Sequence, residues 1–116
     1  MQRELKFRMP ILNPDGSFKE WFYWGWGVGI ADEFTGPHSW YRKCPSQQFI
    51  NSRDSIKMPV YEGDILLAPS GRLMVVTWHE NELRWVGYDK DDHLFNLNMG
   101  ILRVIGNTTE NPELLT

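Results

Sequence analysis

Cysteine is nearly absent from the chain. Cys44 is the only one among 116 residues, so no internal disulfide can form, and a reducing cytosol is the expected compartment. Long hydrophobic runs are missing too. No stretch approaches the roughly 20 apolar residues that span a bilayer, and Met1-Gln2-Arg3-Glu4-Leu5-Lys6 lacks the apolar core of a signal peptide. No membrane partner is therefore expected, and the reading is a cytoplasmic protein. Basic charge is scarce in the second half, where residues 59–116 hold four Lys/Arg against nine acids. That balance argues against wrapping phosphates, because nucleic-acid affinity rests largely on counterions released by basic side chains. Residues 1–58 hold eight Lys/Arg against six acids, too mild an excess to argue for it. Oppositely charged halves would suit head-to-tail attraction between subunits. Repeats, low-complexity segments and a sustained 3.6-residue period are also lacking.

What is present is β-patterned. Leu5, Phe7 and Met9 alternate with Lys6 and Arg8, which predicts a strand with one buried face. Asn13-Pro14-Asp15-Gly16 reads as a tight turn, and residues 18–30 as one or two further strands. Residues 31–46 read as a long loop and 47–50 as a short strand. Then comes a meander: strands over Val60–Ala68, Leu73–Trp78, Leu83–Tyr88, His93–Leu97 and Leu102–Ile105. Pro69-Ser70-Gly71, His79–Glu82 and Asp89–Asp92 are the turns between the first four of them. Asn111-Pro112-Glu113 predicts a helix start with Asn as cap and Pro at the first position. Short strands at this spacing predict a mainly β (β-rich α+β) fold, a small SH3-like barrel or sandwich with a C-terminal helical turn. At this length one domain is expected, with the option of two lobes, an aromatic one over 1–58 and an SH3-like one over 59–116.

Three stretches carry a resemblance. Arg3-Glu4-Leu5-Lys6-Phe7-Arg8, Tyr61-Glu62-Gly63-Asp64-Ile65 and Val104-Ile105-Gly106-Asn107 to Glu110-Asn111-Pro112-Glu113-Leu114-Leu115 resemble the opening strand, the central element and the closing segment of the YopX family. Where that family usually shows T-G-L-K-D-K-N-G-K-E, this chain has residues 50–59, without the turn glycines. The resemblance implies a phage or prophage protein with no established activity or catalytic residues, one that forms homo-oligomers. The Gly-Asp element, followed by a strand, a Ser-Gly turn and another strand, is also similar to SH3-like barrels. Tyr61, Glu62, Gly63, Asp64, Gly106, Asn107, Asn111 and Pro112 are accordingly read as structural.

The richest candidate surface is residues 21–41, which hold eight of the sixteen aromatics. Trp24-Gly25-Trp26-Gly27-Val28-Gly29-Ile30 would put large side chains on one strand face and glycines on the other. Trp21, Tyr23, Trp24, Trp26, Trp40, Tyr41, Arg42 and Lys43 are the expected binding or interface residues. Large aromatics suit a core or subunit contact, and base stacking is the alternative. The glycine spacing fails the dinucleotide fingerprint, and no βαβ pattern follows. Asp89, Asp91, Asp92 and His93, set against His79 and Glu80, lack the oxygen spacing of a calcium loop and the ligand set of structural zinc. His38 reads as a loop residue and Cys44 as an ordinary thiol. With no serine elbow or phosphate loop, neither catalytic residues, cofactor nor metal is expected. The expected partners are further copies of the chain and phage or host proteins, with nucleic acid as the alternative.

Overall fold

The structure, a computed structural model, describes residues 5–26 and 46–116. The chain is mainly β: the described residues form nine strands and one 3-10 turn, with no α-helix among them. The strands are β1 (Leu5–Leu12), β2 (Phe18–Trp26), β3 (Gln47–Arg53), β4 (Pro59–Tyr61), β5 (Asp64–Leu67), β6 (Leu73–His79), β7 (Arg84–Tyr88), β8 (Leu94–Phe95) and β9 (Arg103–Asn107). The chain divides into two compact units, Met1–Phe49 and Ile50–Thr116, with β3 running through the division.

In the first unit β1 lies between β2 and the start of β3, antiparallel to both. The alternation expected for β1 is only partly kept. Met9 is buried, but Leu5 is exposed, and Arg8 is buried beside Met9. An arginine is seldom buried unless its charge and donors are engaged. Here Arg8 Nε donates to Gln47 Oε1 at 2.8 Å, and the guanidinium lies 4.3 Å from the Trp21 ring centre. Both partners come from neighbouring strands, so the period of β1 alone could not reveal the burial.

In the second unit five antiparallel strands run in the order β8-β7-β6-β5-β9. One face carries Leu66, Met74 and Val76, which pack with Val60 and Leu102 as the core. Trp85, Phe95 and Val104 pack around it. The stretch read as one strand over Val60–Ala68 is two strands, broken at Glu62-Gly63, where Gly63 takes φ +86°. The strand expected over His93–Leu97 shortens to two residues, and the last strand extends through Asn107.

Four of the connections are one loop used four times. In Asn13–Ser17, Asp54–Met58, Ala68–Arg72 and Asp89–His93, the first residue's N–H donates to the fifth residue's carbonyl at 2.8–3.1 Å. In each, the fourth residue's N–H donates back to the first residue's carbonyl at 2.8–3.0 Å. The fourth residue is left-handed every time: Gly16, Lys57, Gly71 and Asp92 have φ of 91°, 70°, 91° and 63°. This is the three-residue hairpin loop, a turn followed by a left-handed residue.

Two sequence recipes produce it. Asn13-Pro14-Asp15-Gly16 and Ala68-Pro69-Ser70-Gly71 use proline to preset φ and glycine to accept the positive one. The other two lack both residues and begin with Asp. Asp54 Oδ1 accepts the N–H groups of Ile56 and Met58 (3.0 and 2.8 Å), and Asp89 Oδ1 those of Asp91 and His93 (both 2.9 Å). The carboxylate thus holds a loop that its left-handed residue disfavours. The left-handed region costs a residue bearing Cβ about 1–2 kcal/mol, against about 0.5–1 kcal/mol of extra chain entropy lost by glycine. Lys57→Gly is therefore expected to stabilise the protein by about 0.5–1 kcal/mol, read as a higher midpoint in urea. A lower midpoint would show that the Lys57 side chain contributes to the fold.

Candidate functional site

The candidate sites are the aromatic strand β2 and a pocket in the second unit. On β2 the side chains of Trp21 and Trp24 are engaged. The Trp24 ring stacks on Phe7, centroids 4.4 Å apart and planes 18° from parallel, while its Nε1 donates to Ser46 Oγ at 3.1 Å. Trp21 carries the Arg8 guanidinium and lies 5.2 Å from the Phe18 ring. Tyr23 is half exposed. Trp26 ends the strand opposite Leu5. Trp40, Tyr41, Arg42 and Lys43, with His38 and Cys44, lie outside the described residues. Gly25 has the clearest role. It takes φ +142°, and a Cβ there would lie 1.9 Å from the Leu5 carbonyl oxygen.

The pocket, about 470 Å³, lies between the Ser70–Leu73 and Asp89–Asp91 segments and the 3-10 turn Pro112–Leu115 with Thr116. Its polar wall is organised by Asp89. While Oδ1 holds its own loop, Oδ2 meets Arg72 Nη1 at 2.9 Å and His93 Nδ1 at 3.1 Å. Burial pushes the Asp89 carboxyl up, but the hydrogen bonds from His93 and Asp91 and the nearby His93 charge outweigh it and hold the group below its ordinary value. Arg72 also lies 4.7 Å from the Phe95 ring centre. Leu73, Leu114 and Leu115 supply apolar surface.

This arrangement suits anchoring better than catalysis. Both oxygens of Asp89 already accept hydrogen bonds, and a carboxylate held in its charged form by them is a poor general base near neutral pH. Asp89, Asp91 and His93 do offer ligand atoms within 4.8 Å of one another. A cation there would compete for the Asp89 carboxylate with the Arg72 guanidinium or with the loop's own N–H groups. His79 and Glu80 do not join this group. They lie before β7 and the aspartates after it, at opposite ends of that strand. His79 Nδ1 instead accepts the Glu82 N–H at 3.1 Å.

The segments Tyr61–Ile65 and Val104–Leu115 meet in space. Asp64 and Ile65 pair with Asn107 and Gly106, and the Thr108 N–H donates to the Gly63 carbonyl at 2.9 Å. Asp64 Oδ2 accepts the Tyr61 N–H at 2.8 Å across the turn. Asn107 Oδ1 accepts the N–H groups of Thr109 and Glu110, and its Nδ2 donates to Glu110 Oε1. Asn111 does not cap the following 3-10 turn with its side chain, as its place before Pro112 predicts. It reaches back, Oδ1 accepting the Asn107 N–H at 3.2 Å while its own N–H donates to the Asn107 carbonyl. Gly106 makes room for this: a Cβ there would sit 2.6 Å from Asn111 Oδ1.

The family described as YopX protein matches residues 39–116, which include both of these segments. The chain belongs to the YopX family. Arg3–Arg8, the third stretch of resemblance, precedes the matched region. In this YopX chain the two matched stretches form a structural joint, a strand entry clamped to a closing turn, whose polar groups largely serve each other. A comparison with curated proteins yields no match. No helix of the described residues is long and apolar enough to cross a membrane.

Two residues carry more than sequence reading assigned them. Asp54, 3% exposed, extends Oδ2 to the Val104 N–H at 2.9 Å, fifty residues away, and Ser55 N–H donates to the Leu102 carbonyl at 2.9 Å. Arg72 joins two loops through Asp89 and Phe95. The only local signal for Asp54 was an aspartate opening a loop that lacks glycine.

Proposed function

We propose that this YopX-family chain is a phage- or prophage-encoded accessory protein without catalytic activity. It works in the bacterial cytoplasm as a homo-oligomer, through protein–protein contacts that extend to phage or host proteins. The observation carrying this reading is the display of large apolar side chains on loops whose backbones are fixed by hydrogen bonds, Ile56, Leu83 and Ile101 foremost. Such side chains gain from burial against a partner, and a fixed backbone reduces the entropy lost on docking. The pocket adds no support for an enzyme, since its acid, base and cation already serve one another.

Nucleic-acid binding draws less support. A base stacking on Trp24 would compete with Phe7, and one stacking on Trp21 would compete with Arg8. Size-exclusion chromatography with light scattering at micromolar concentration tests the favoured reading. The expected mass is a multiple of the 13.6 kDa chain, and a strict monomer would overturn it.

A further inference from the structure

Large apolar side chains lie in solvent at two loop surfaces of the second unit, and the two surfaces carry opposite charge. The first is formed by the Asp54–Met58 loop and the segment Ile101–Arg103. Ser55 N–H to the Leu102 carbonyl and Val104 N–H to Asp54 Oδ2 hold the two backbones side by side. Ile56, Ile101 and Met58 are 57%, 53% and 48% exposed there. Arg53, Lys57 and Arg103 surround them, all exposed, and none forms an ion pair with a described residue. Arg53 Nη1 donates to the Lys57 carbonyl at 3.2 Å, so its charge is tied to the loop.

The second surface is the Glu80-Asn81-Glu82-Leu83 loop between β6 and β7. Leu83 is 74% exposed, the most exposed of the large hydrophobic side chains described. Glu82 shares its charge with Arg84 at 2.6 Å, whereas Glu80 is exposed and forms no ion pair with a described residue.

Four described residues other than glycine hold a positive φ, Asn51, Lys57, Leu83 and Asp92, and two of them lie on these surfaces. Lys57 and Leu83 hold φ of +70° and +53°, a region that disfavours residues with a Cβ. Glycine would relieve both. The loop sets the conformation at Lys57, and the side chains of Lys57 and Leu83 extend into solvent where a partner can reach them.

Strand pairing sets the two surfaces apart. Arg103 pairs with Leu67, and Leu67 with Leu73, at one end of β6, while His79 pairs with Arg84 at the other. Six residues of strand at about 3.3 Å each separate those ends by about 20 Å. Within one molecule the two surfaces cannot meet, but between copies they can.

We propose, resting on the homo-oligomeric reading above, that copies join head to tail through these surfaces. The Ile56–Met58–Ile101 tip, with its three cations, docks on Leu83 and its glutamates in the next copy. A contact of this kind is heterologous, so it builds a ring if the rotation closes and a filament if it does not. Aliphatic side chains ringed by cations suit an acidic protein surface better than bases, which need aromatic faces. The chain itself supplies such a surface.

The test reverses charge on one surface at a time: Arg53→Glu with Lys57→Glu, and Glu80→Lys with Glu82→Lys. Each double variant alone is expected to fall to the monomer mass at a concentration where the unaltered chain is oligomeric. Mixing the two is expected to restore the oligomer, because each new surface then faces its opposite. Leu83→Asn supplies a variant that should fold at least as well, since asparagine tolerates the left-handed region. It is expected to weaken association about tenfold or more. Oligomers that survive both reversals, or variants that stay monomeric on mixing with their circular dichroism intact, would overturn the head-to-tail contact. In either case the homo-oligomeric reading would survive. A monomeric unaltered chain would instead overturn that reading itself.

Discussion

Asp54→Ala is expected to lower the unfolding free energy by about 2–4 kcal/mol, the larger of two losses that the structure singles out. One buried carboxylate accepts the N–H groups of Ile56, Met58 and Val104, at 3.0, 2.8 and 2.9 Å. A donor left without its partner costs about 1–3 kcal/mol when buried and less where water can replace the acceptor. Ile56 and Met58 are exposed enough for water to reach part of their loop, whereas Val104 is half buried. For a chain of this length the loss corresponds to a fall of about 10–15 °C in Tm. A melt at neutral pH showing a drop below about 3 °C would contradict the assignment.

The same residue sets an acid dependence. Burial raises the Asp54 carboxyl, but the bonds from Val104, Met58 and Ile56, with the nearby Arg103 charge, prevail and hold it below its ordinary value. A carboxyl depressed in the folded state stabilises the fold fully above its unfolded value of about 3.9. That contribution disappears as pH falls through the lower, folded value. The stability difference between the unaltered chain and Asp54→Asn is therefore expected to be constant above about pH 5 and to shrink below about pH 4. Urea titrations at several pH values measure it. A difference that grows toward low pH would be the wrong sign.

Gly25→Ala is the second large effect, expected to cost about 3 kcal/mol and to loosen the start of β1 from the end of β2. The added Cβ would meet the Leu5 carbonyl oxygen at 1.9 Å and the Leu5 carbon and Lys6 Cα at 2.9 Å, all backbone atoms of the paired strand. Overpacking of this sort costs about 1–3 kcal/mol, and φ of +142° adds a conformational penalty for any residue but glycine. Gly87→Ala is the informative control. There the nearest atom is Met74 Sδ at 2.6 Å, the far part of a flexible side chain, and φ is ordinary, so about 1–2 kcal/mol is expected. Denaturant unfolding followed by tryptophan fluorescence compares the two. Equal costs would show that the strand ends at Gly25 yield more readily than their pairing suggests.

These effects separate what the amino-acid sequence determined from what required the folded chain. Much of what depends on neighbours along the chain was legible. The mainly β class followed from short alternating runs, and the Asn13–Gly16 and Pro69–Gly71 turns from proline and glycine, which act on their own backbone torsions. The closing helical turn was readable from Pro112, and the family from two stretches that hold their spacing. The Asp89–Asp92 turn was legible from its run of aspartates, but the loop opened by Asp54 was harder to read, because a carboxylate replaces the glycine signal and works only once the loop has closed around it.

Only tertiary structure decided the partners that lie far along the chain. Arg8 looked solvent-facing by its period and is enclosed because Trp21 and Gln47 arrive from other strands. Asp54 became a tie to β9 because Val104 came within reach. Even the choice of Asn111 to turn back to Asn107, only four residues away, depended on the space left by Gly106. Torsional preferences are carried by single residues and survive in an isolated segment. A hydrogen bond or ring contact across fifty residues exists only after the backbone has brought its two ends together, and no local pattern records it.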